Sequence, residues 1–123
     1  MFNTSHLQEL EQGLETAKKN VALRDALVKL QSNKDFKKLV TETYLVNAAA
    51  DFARQAGDPA MGERQRADAL AMALAPGYFK RFMNVVFSQG QQAEEDIPEL
   101  EKGIEFIQNG GTFDDNDDQD QDD

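Results

Sequence analysis

Residues 7–21, LQELEQGLETAKKNV, carry the reading of this chain. Leu7, Leu10, Leu14, Ala17 and Val21 stand at 3-4-3-4 spacing, the a/d seam along which one helix packs against another. The spacing predicts a helix over residues 5–31, roughly 40 Å long at a rise of about 1.5 Å per residue. Ser5, with Gln8 three residues on, makes a capping box at its start. Gly13 lies inside the helix at a cost of about 1 kcal/mol against Ala. The next seam position is Arg24, where the apolar pattern breaks. It resumes on a shifted line through Leu23, Leu27 and Leu30. Such a shift widens the apolar face, as suits a helix leaving a two-helix seam for a bundle core.

Working outward, Gln31-Ser32-Asn33 interrupts the pattern. Asn33 is a natural N-cap for a second helix over about Lys34 to Ala56, with Asp35 in its first turn. Phe36, Leu39, Val40, Tyr44, Ala48, Phe52 and Ala53 share one broad face of that helix. Gly57-Asp58-Pro59 ends it, with Gly suited to a left-handed C′ position and Pro barring continuation. A third helix spans about Ala60 to Ala75, and Pro76-Gly77 then either separates two helices or kinks one. The most hydrophobic stretch follows, with Tyr78, Phe79, Phe82, Met83, Val85, Val86 and Phe87. Beyond it Ala93, Ile97, Leu100, Ile104 and Ile107 return to 4-3-4-3 spacing. Pro98 is either a kink or an early helical position after an Asp96 cap. Asn109-Gly110-Gly111 ends the helical pattern.

No stretch alternates with a period of two, and no repeat of 20–50 residues occurs. The expected fold is therefore all-α. It is a helical bundle whose long terminal helices pair antiparallel in coiled-coil fashion, over a domain of residues 1–110. Pairing of the same seams between two chains, giving a dimer, is the alternative. Residues 111–123 read as a disordered acidic tail, apolar only at Phe113.

The 123 residues carry a formal charge of −10, from 13 Lys and Arg against 23 Asp and Glu. Seven of the acids are Asp in the last ten residues. Removing those seven leaves 16 acids against 13 bases, a charge of −3. The headline acidity is thus an appendage on a nearly balanced body. The absence of Cys excludes disulfides, a Cys-based zinc site, an iron–sulfur cluster and a thiol nucleophile. The single His, His6, excludes a His-rich metal centre. No apolar run of about 18 residues is present to span a membrane, and the N-terminus lacks the pattern of a signal peptide. Asn3-Thr4-Ser5 is a glycosylation sequon by chance in such a chain. The expected location is the cytoplasm, or a particle assembled there. Net acidity argues against direct binding to nucleic-acid phosphates.

The constellations that bear chemistry are few. No nucleophile elbow, phosphate-binding loop or dinucleotide fingerprint occurs, and the expectation is no enzyme, no cofactor and no metal. Glu94, Glu95, Asp96, Glu99 and Glu101 form an acidic run, ordinarily a solvated helix face. The tail from Asp114 to Asp120 superficially matches a calcium loop but lacks the Gly at its sixth position and the Glu at its twelfth. Asp114, Asp115, Asp117 and Asp118 are instead candidates for docking on a basic protein groove. Such an attraction is screened over a Debye length of about 8 Å at physiological salt. A DNA mimic needs carboxylates on a rigid frame, whereas the acids of the body are interleaved with Lys18, Lys19, Lys37, Lys38, Lys80 and Arg81. The strongest candidate is apolar. Residues 78–87 are hydrophobic on more than one face, more than a small bundle buries. Tyr78, Phe79, Phe82, Met83 and Phe87 are therefore candidate partner-binding residues.

A resemblance adds to this. Leu23-Arg24-Asp25-Ala26-Leu27, Asn33 to Val40, Ala56-Gly57-Asp58-Pro59-Ala60-Met61, Tyr78-Phe79 and Ala93-Glu94-Glu95-Asp96-Ile97 together resemble a group of small acidic helical proteins of tailed bacteriophages. These are often encoded among virion-structure genes. The likeness covers roughly residues 5–105 and rests on helix caps and core positions, so it transfers no functional residue. The chain departs from the group at Leu45-Val46-Asn47, where an acidic stretch is expected, and at Pro76. The resemblance implies a non-enzymatic accessory or virion-associated structural protein acting by helix-mediated association. The expected partner is a viral structural protein or a host enzyme, or a second copy in a homo-oligomer. The alternative is an acidic inhibitor of a host or viral nucleic-acid enzyme.

Overall fold

A computed structural model of the chain describes residues 2–111, with side chains from Ser5 onward. It is all-α, and no strand occurs among the described residues. Helix α1 spans Phe2–Gln31, α2 Lys34–Phe36, a π-helical segment Lys37–Ala48, α3 Ala49–Ala56 and α4 Glu63–Gln108. The chain divides into two compact units. One joins residues up to Leu23 with those from Gln89 on, and the other is Arg24–Ser88.

In the first unit the N-terminal part of α1 packs antiparallel along the C-terminal part of α4, within one chain. Two glycines set the approach. A Cβ on Gly13 would lie 3.4 Å from Leu100 Cδ2, and one on Gly103 would lie 3.1 Å from Leu10 Cδ1. Each leucine thus fills the space that a glycine of the opposite helix leaves, which offsets the helix-propensity cost of both glycines. Ala17, Ala93 and Ile107 are buried here, with Leu7, Leu10, Leu14, Ile97, Leu100 and Ile104 half-buried beside them. Helix α4 ends in a Schellman arrangement. Gly110 has φ 92°, its N–H donates to the Ile107 carbonyl at 3.0 Å, and Gly111 N–H donates to the Phe106 carbonyl at 2.9 Å.

In the second unit Ala69, Pro76 and Met83 of α4 are buried, and Gln31 Nε2 donates to Met83 Sδ at 3.9 Å. Arg24 is buried too, at 8 % exposure, while Leu23 and Leu30 are exposed. The shift of the seam to Leu23, Leu27 and Leu30 is therefore corrected. Arg24 takes the seam position that the 3-4 register assigns to it. A guanidinium on a long apolar stem can hold such a position when its head group is hydrogen-bonded.

Other expectations are corrected by where helices begin and end. Helix α1 starts at Phe2, so Ser5 lies within it rather than at an N-cap. Asn33 does cap: its Oδ1 accepts from Phe36 N–H at 2.9 Å. The helix beyond is continuous to Ala56 but not uniformly α. Over Lys37–Ala48 it widens to π geometry, with i→i+5 hydrogen bonding. Thr43 Oγ1 donates to the Lys38 carbonyl, five residues back, at 2.7 Å. The wider turn advances the inward positions. Val40 and Leu45 are half-buried, five residues apart, whereas Leu39, Tyr44 and Ala53 of the predicted face are exposed. Gly57 closes the segment with φ −95°, not in the left-handed region. Asp58 Oδ1 then accepts from Ala60 N–H at 2.9 Å, which holds residues 58–62 in a turn. Helix α4 begins at Glu63, three residues later than predicted. Gln65 Oε1 reaches back to accept from Gly62 N–H at 3.3 Å. It continues through Pro76-Gly77 and Pro98 as one helix of 46 residues. Asp96 does not cap a new start; it accepts from Gln92 Nε2 at 3.0 Å.

Candidate partner-binding surface

Within the second unit α4 carries two apolar stripes. The inward one runs through Pro76, Phe79, Met83 and Val86, at 3-4-3 spacing. The outward one is Leu74, Tyr78, Phe82 and Val85, at 4-4-3 spacing, 54 %, 73 %, 61 % and 42 % exposed. At about 100° per residue these four span a sector of about 80°, beside the inward stripe rather than opposite it, and the exposed Arg81, between Tyr78 and Val85, lies at the edge of the same sector. The small residues Ala71 and Gly77, both exposed, flank them.

The five candidates in residues 78–87 thus fall into three settings. Tyr78 and Phe82 stand on the outward stripe. Phe79 lies at the edge of the inward one, its ring 6.4 Å from that of Tyr44 in an edge-on contact. This contact joins α4 to the π-helical segment and gives Tyr44 a packing role despite its exposure. Met83 is buried beneath Gln31 and presents nothing to a partner. Phe87 is exposed, but five residues past Phe82 it faces another direction. Leu74 and Val85 were not among the sequence candidates. Their signal is the 4-4-3 spacing with Tyr78 and Phe82, legible once Pro76-Gly77 is taken as helix interior. Asp114, Asp115, Asp117 and Asp118 lie outside the described residues.

The polar features form no comparable site. An open groove of about 510 Å³ in the first unit is lined by Gly13, Thr16, Asn20, Gln92, Asp96 and Glu99, among others. It contains two carboxylates, side-chain amides and the Thr16 hydroxyl. A second hollow of about 430 Å³ is lined by Lys34, Lys37 and Lys38 together with Asp35 and Glu42, so its charges are mixed. Among the described residues no three His, Cys, Asp or Glu side chains converge to hold a metal ion. No helix among them is long and apolar enough to cross a membrane.

These surfaces define a helical protein with a linear apolar face on one long helix. No protein-family model, curated protein or solved structure matches the chain.

Proposed function

We propose that this chain is a non-enzymatic, virion-associated protein of a tailed bacteriophage that acts by helix-mediated protein–protein association. One observation carries the association: the outward stripe Leu74, Tyr78, Phe82 and Val85, with three of its four side chains more than half exposed. Two aromatic and two aliphatic side chains on one sector of a regular helix form the kind of anchor that fits a complementary helix or groove. Each aromatic carries large contact area at small conformational-entropy cost, having only two side-chain torsions to fix. The resemblance to small acidic helical proteins of tailed bacteriophages, often encoded among virion-structure genes, supplies the setting.

Mass spectrometry of purified particles tests the reading. The protein is expected in particles at a fixed ratio to the major structural proteins. A Tyr78→Ser/Phe82→Ser protein, still helical, is expected to be depleted from them. Absence of the unaltered protein from particles overturns the virion assignment.

A further inference from the structure

We infer that Asn109 is a site of covalent self-modification: the Gly110 backbone nitrogen closes on the Asn109 side-chain amide, and the C-terminal cap of α4 sets how fast. This stands apart from the association reading above and needs no partner.

The sequence selects the residue. Of the seven asparagines, only Asn109 is followed by glycine. Asn3, Asn20, Asn33, Asn47, Asn84 and Asn116 precede Thr, Val, Lys, Ala, Val and Asp, whose side chains crowd the following nitrogen. The structure separates them further. Asn20, Asn47 and Asn84 lie inside helical segments, where the next backbone N–H belongs to the hydrogen-bond ladder. Asn33 uses its side-chain oxygen to accept from Phe36 N–H at 2.9 Å. Asn109 and Gly110 follow directly on the last residue of α4, and both are exposed, so water reaches the reacting groups.

The chemistry requires only water. The Gly110 N–H loses its proton to solvent base, the nitrogen bonds to Cγ of Asn109, and the bond from Cγ to the side-chain nitrogen breaks. Ammonia leaves with a proton from water, and a five-membered succinimide remains. Water then adds to one of its two carbonyl carbons and breaks that carbon's bond to the ring nitrogen. One opening leaves Asp at position 109. The other leaves isoaspartate, whose backbone runs through the side-chain methylene. Nothing is oxidised or reduced.

The cap restrains the first step. Gly110 N–H donates to the Ile107 carbonyl at 3.0 Å, and Gly111 N–H to the Phe106 carbonyl at 2.9 Å. While the first of these bonds holds, the Gly110 nitrogen keeps its proton and its place, so closure requires the end of the helix to open locally. Gly111 is the tight point of the cap, because a Cβ there would overlap the Phe106 ring. Isoaspartate does not restore the arrangement. Its longer backbone displaces both N–H groups from their carbonyls, and its carboxylate stands at the negative end of the helix dipole. The turn that carries Ile107, buried in the first unit, then lacks its cap.

Incubating the full chain at mildly alkaline pH, folded and in concentrated guanidinium chloride, tests this. Tandem mass spectrometry of the tryptic fragment Gly103–Asp123 separates Asn109 from Asn116. Isoaspartate is expected at position 109 before any other asparagine reacts. It should form about tenfold more slowly in the folded chain than in denaturant, which corresponds to about 1.4 kcal/mol of capping. Gly111→Ala keeps the Asn-Gly pair but crowds the cap. Folded, it is expected to react roughly threefold faster than the unaltered chain, and in denaturant at the same rate. Absence of isoaspartate at 109 in the folded chain once the denatured sample has fully reacted, or earlier reaction at another asparagine, overturns the site. Equal rates with and without denaturant overturn the role of the cap, as does a folded Gly111→Ala protein that reacts no faster. Where circular dichroism shows that variant unfolded, the two rates of the unaltered chain decide alone.

Discussion

Arg24 places a guanidinium in the apolar seam of α1, and Asp25 Oδ1 accepts from its Nε at 3.0 Å and from Nη2 at 2.9 Å. A charged residue at such a position costs stability, and its recognised use is to fix register. Replacement by an apolar residue of similar reach is expected to be neutral or stabilising by about 1–2 kcal/mol, whereas truncation loses the buried stem. Urea denaturation followed by circular dichroism should place the midpoint of Arg24→Leu at or above that of the unaltered chain and that of Arg24→Ala below it. A large loss in Arg24→Leu would show that the hydrogen bonds outweigh the desolvation. Gly103 is the other residue with a sharp expectation. A Cβ there meets only the flexible end of Leu10, at 3.1 Å, so Gly103→Ala should be tolerated, the gain in helix propensity offsetting a small shift. Gly103→Val adds branched volume against the same leucine and should cost about 1–3 kcal/mol in the same urea measurement.

At the scale of elements, α4 decides most of the molecule, and its 46 residues include two prolines in interior positions. Each lacks the N–H that would donate to the carbonyl four residues back. Pro76 is buried on the inward stripe and offsets this by packing, whereas Pro98 is exposed and makes no such contribution. Pro98→Ala gives position 98 a backbone N–H and removes the ring from the preceding turn, and should raise stability by about 1–3 kcal/mol, read as a higher thermal midpoint. An unchanged midpoint would mean that the helix already accommodates the ring without loss. Both prolines also explain why this helix was hard to read. Pro76-Gly77 is the local signature of a break, yet the inward register runs Pro76, Phe79, Met83 and Val86, and the numbering continues it through Gly90, Ala93, Ile97, Leu100, Ile104 and Ile107. The seam residues Pro76 and Gly90 do not read as apolar positions, so the pattern was legible only from Ala93 onward. The π-helical segment was less legible still. A period of 3.6 put Leu39 and Tyr44 on the inner face, and the wider turn brought Leu45 there instead.

At the scale of the molecule, the charge of −10 separates into a balanced body and seven terminal Asp. Deleting residues 114–123 is expected to change the stability of the body by no more than about 0.5 kcal/mol, read from the thermal midpoint, since the segment supplies no apolar side chain to a core. If association runs through the α4 stripe, the same deletion leaves entry into particles intact. Loss of entry, with strong dependence on salt, would move the contact to the tail and favour the acidic-regulator reading.

The sequence by itself determined that the chain is all-α, that its terminal helices carry matching heptad seams, that Asn33 starts a helix and that Asn109-Gly110-Gly111 stops one. These properties depend on side-chain period and on caps, which act over a few neighbouring residues. Only the tertiary structure decided that the seams pair within one chain, that Arg24 keeps the register, and that α4 runs unbroken through Pro76. It also turned Met83 inward and left Leu74, Tyr78, Phe82 and Val85 together outside. The physical reason is that a helix with apolar residues on two sides can bury either one. The choice between them is made by the packing of distant elements: Gln31 over Met83, Tyr44 against Phe79, and Leu10 and Leu100 in the gaps left by Gly103 and Gly13.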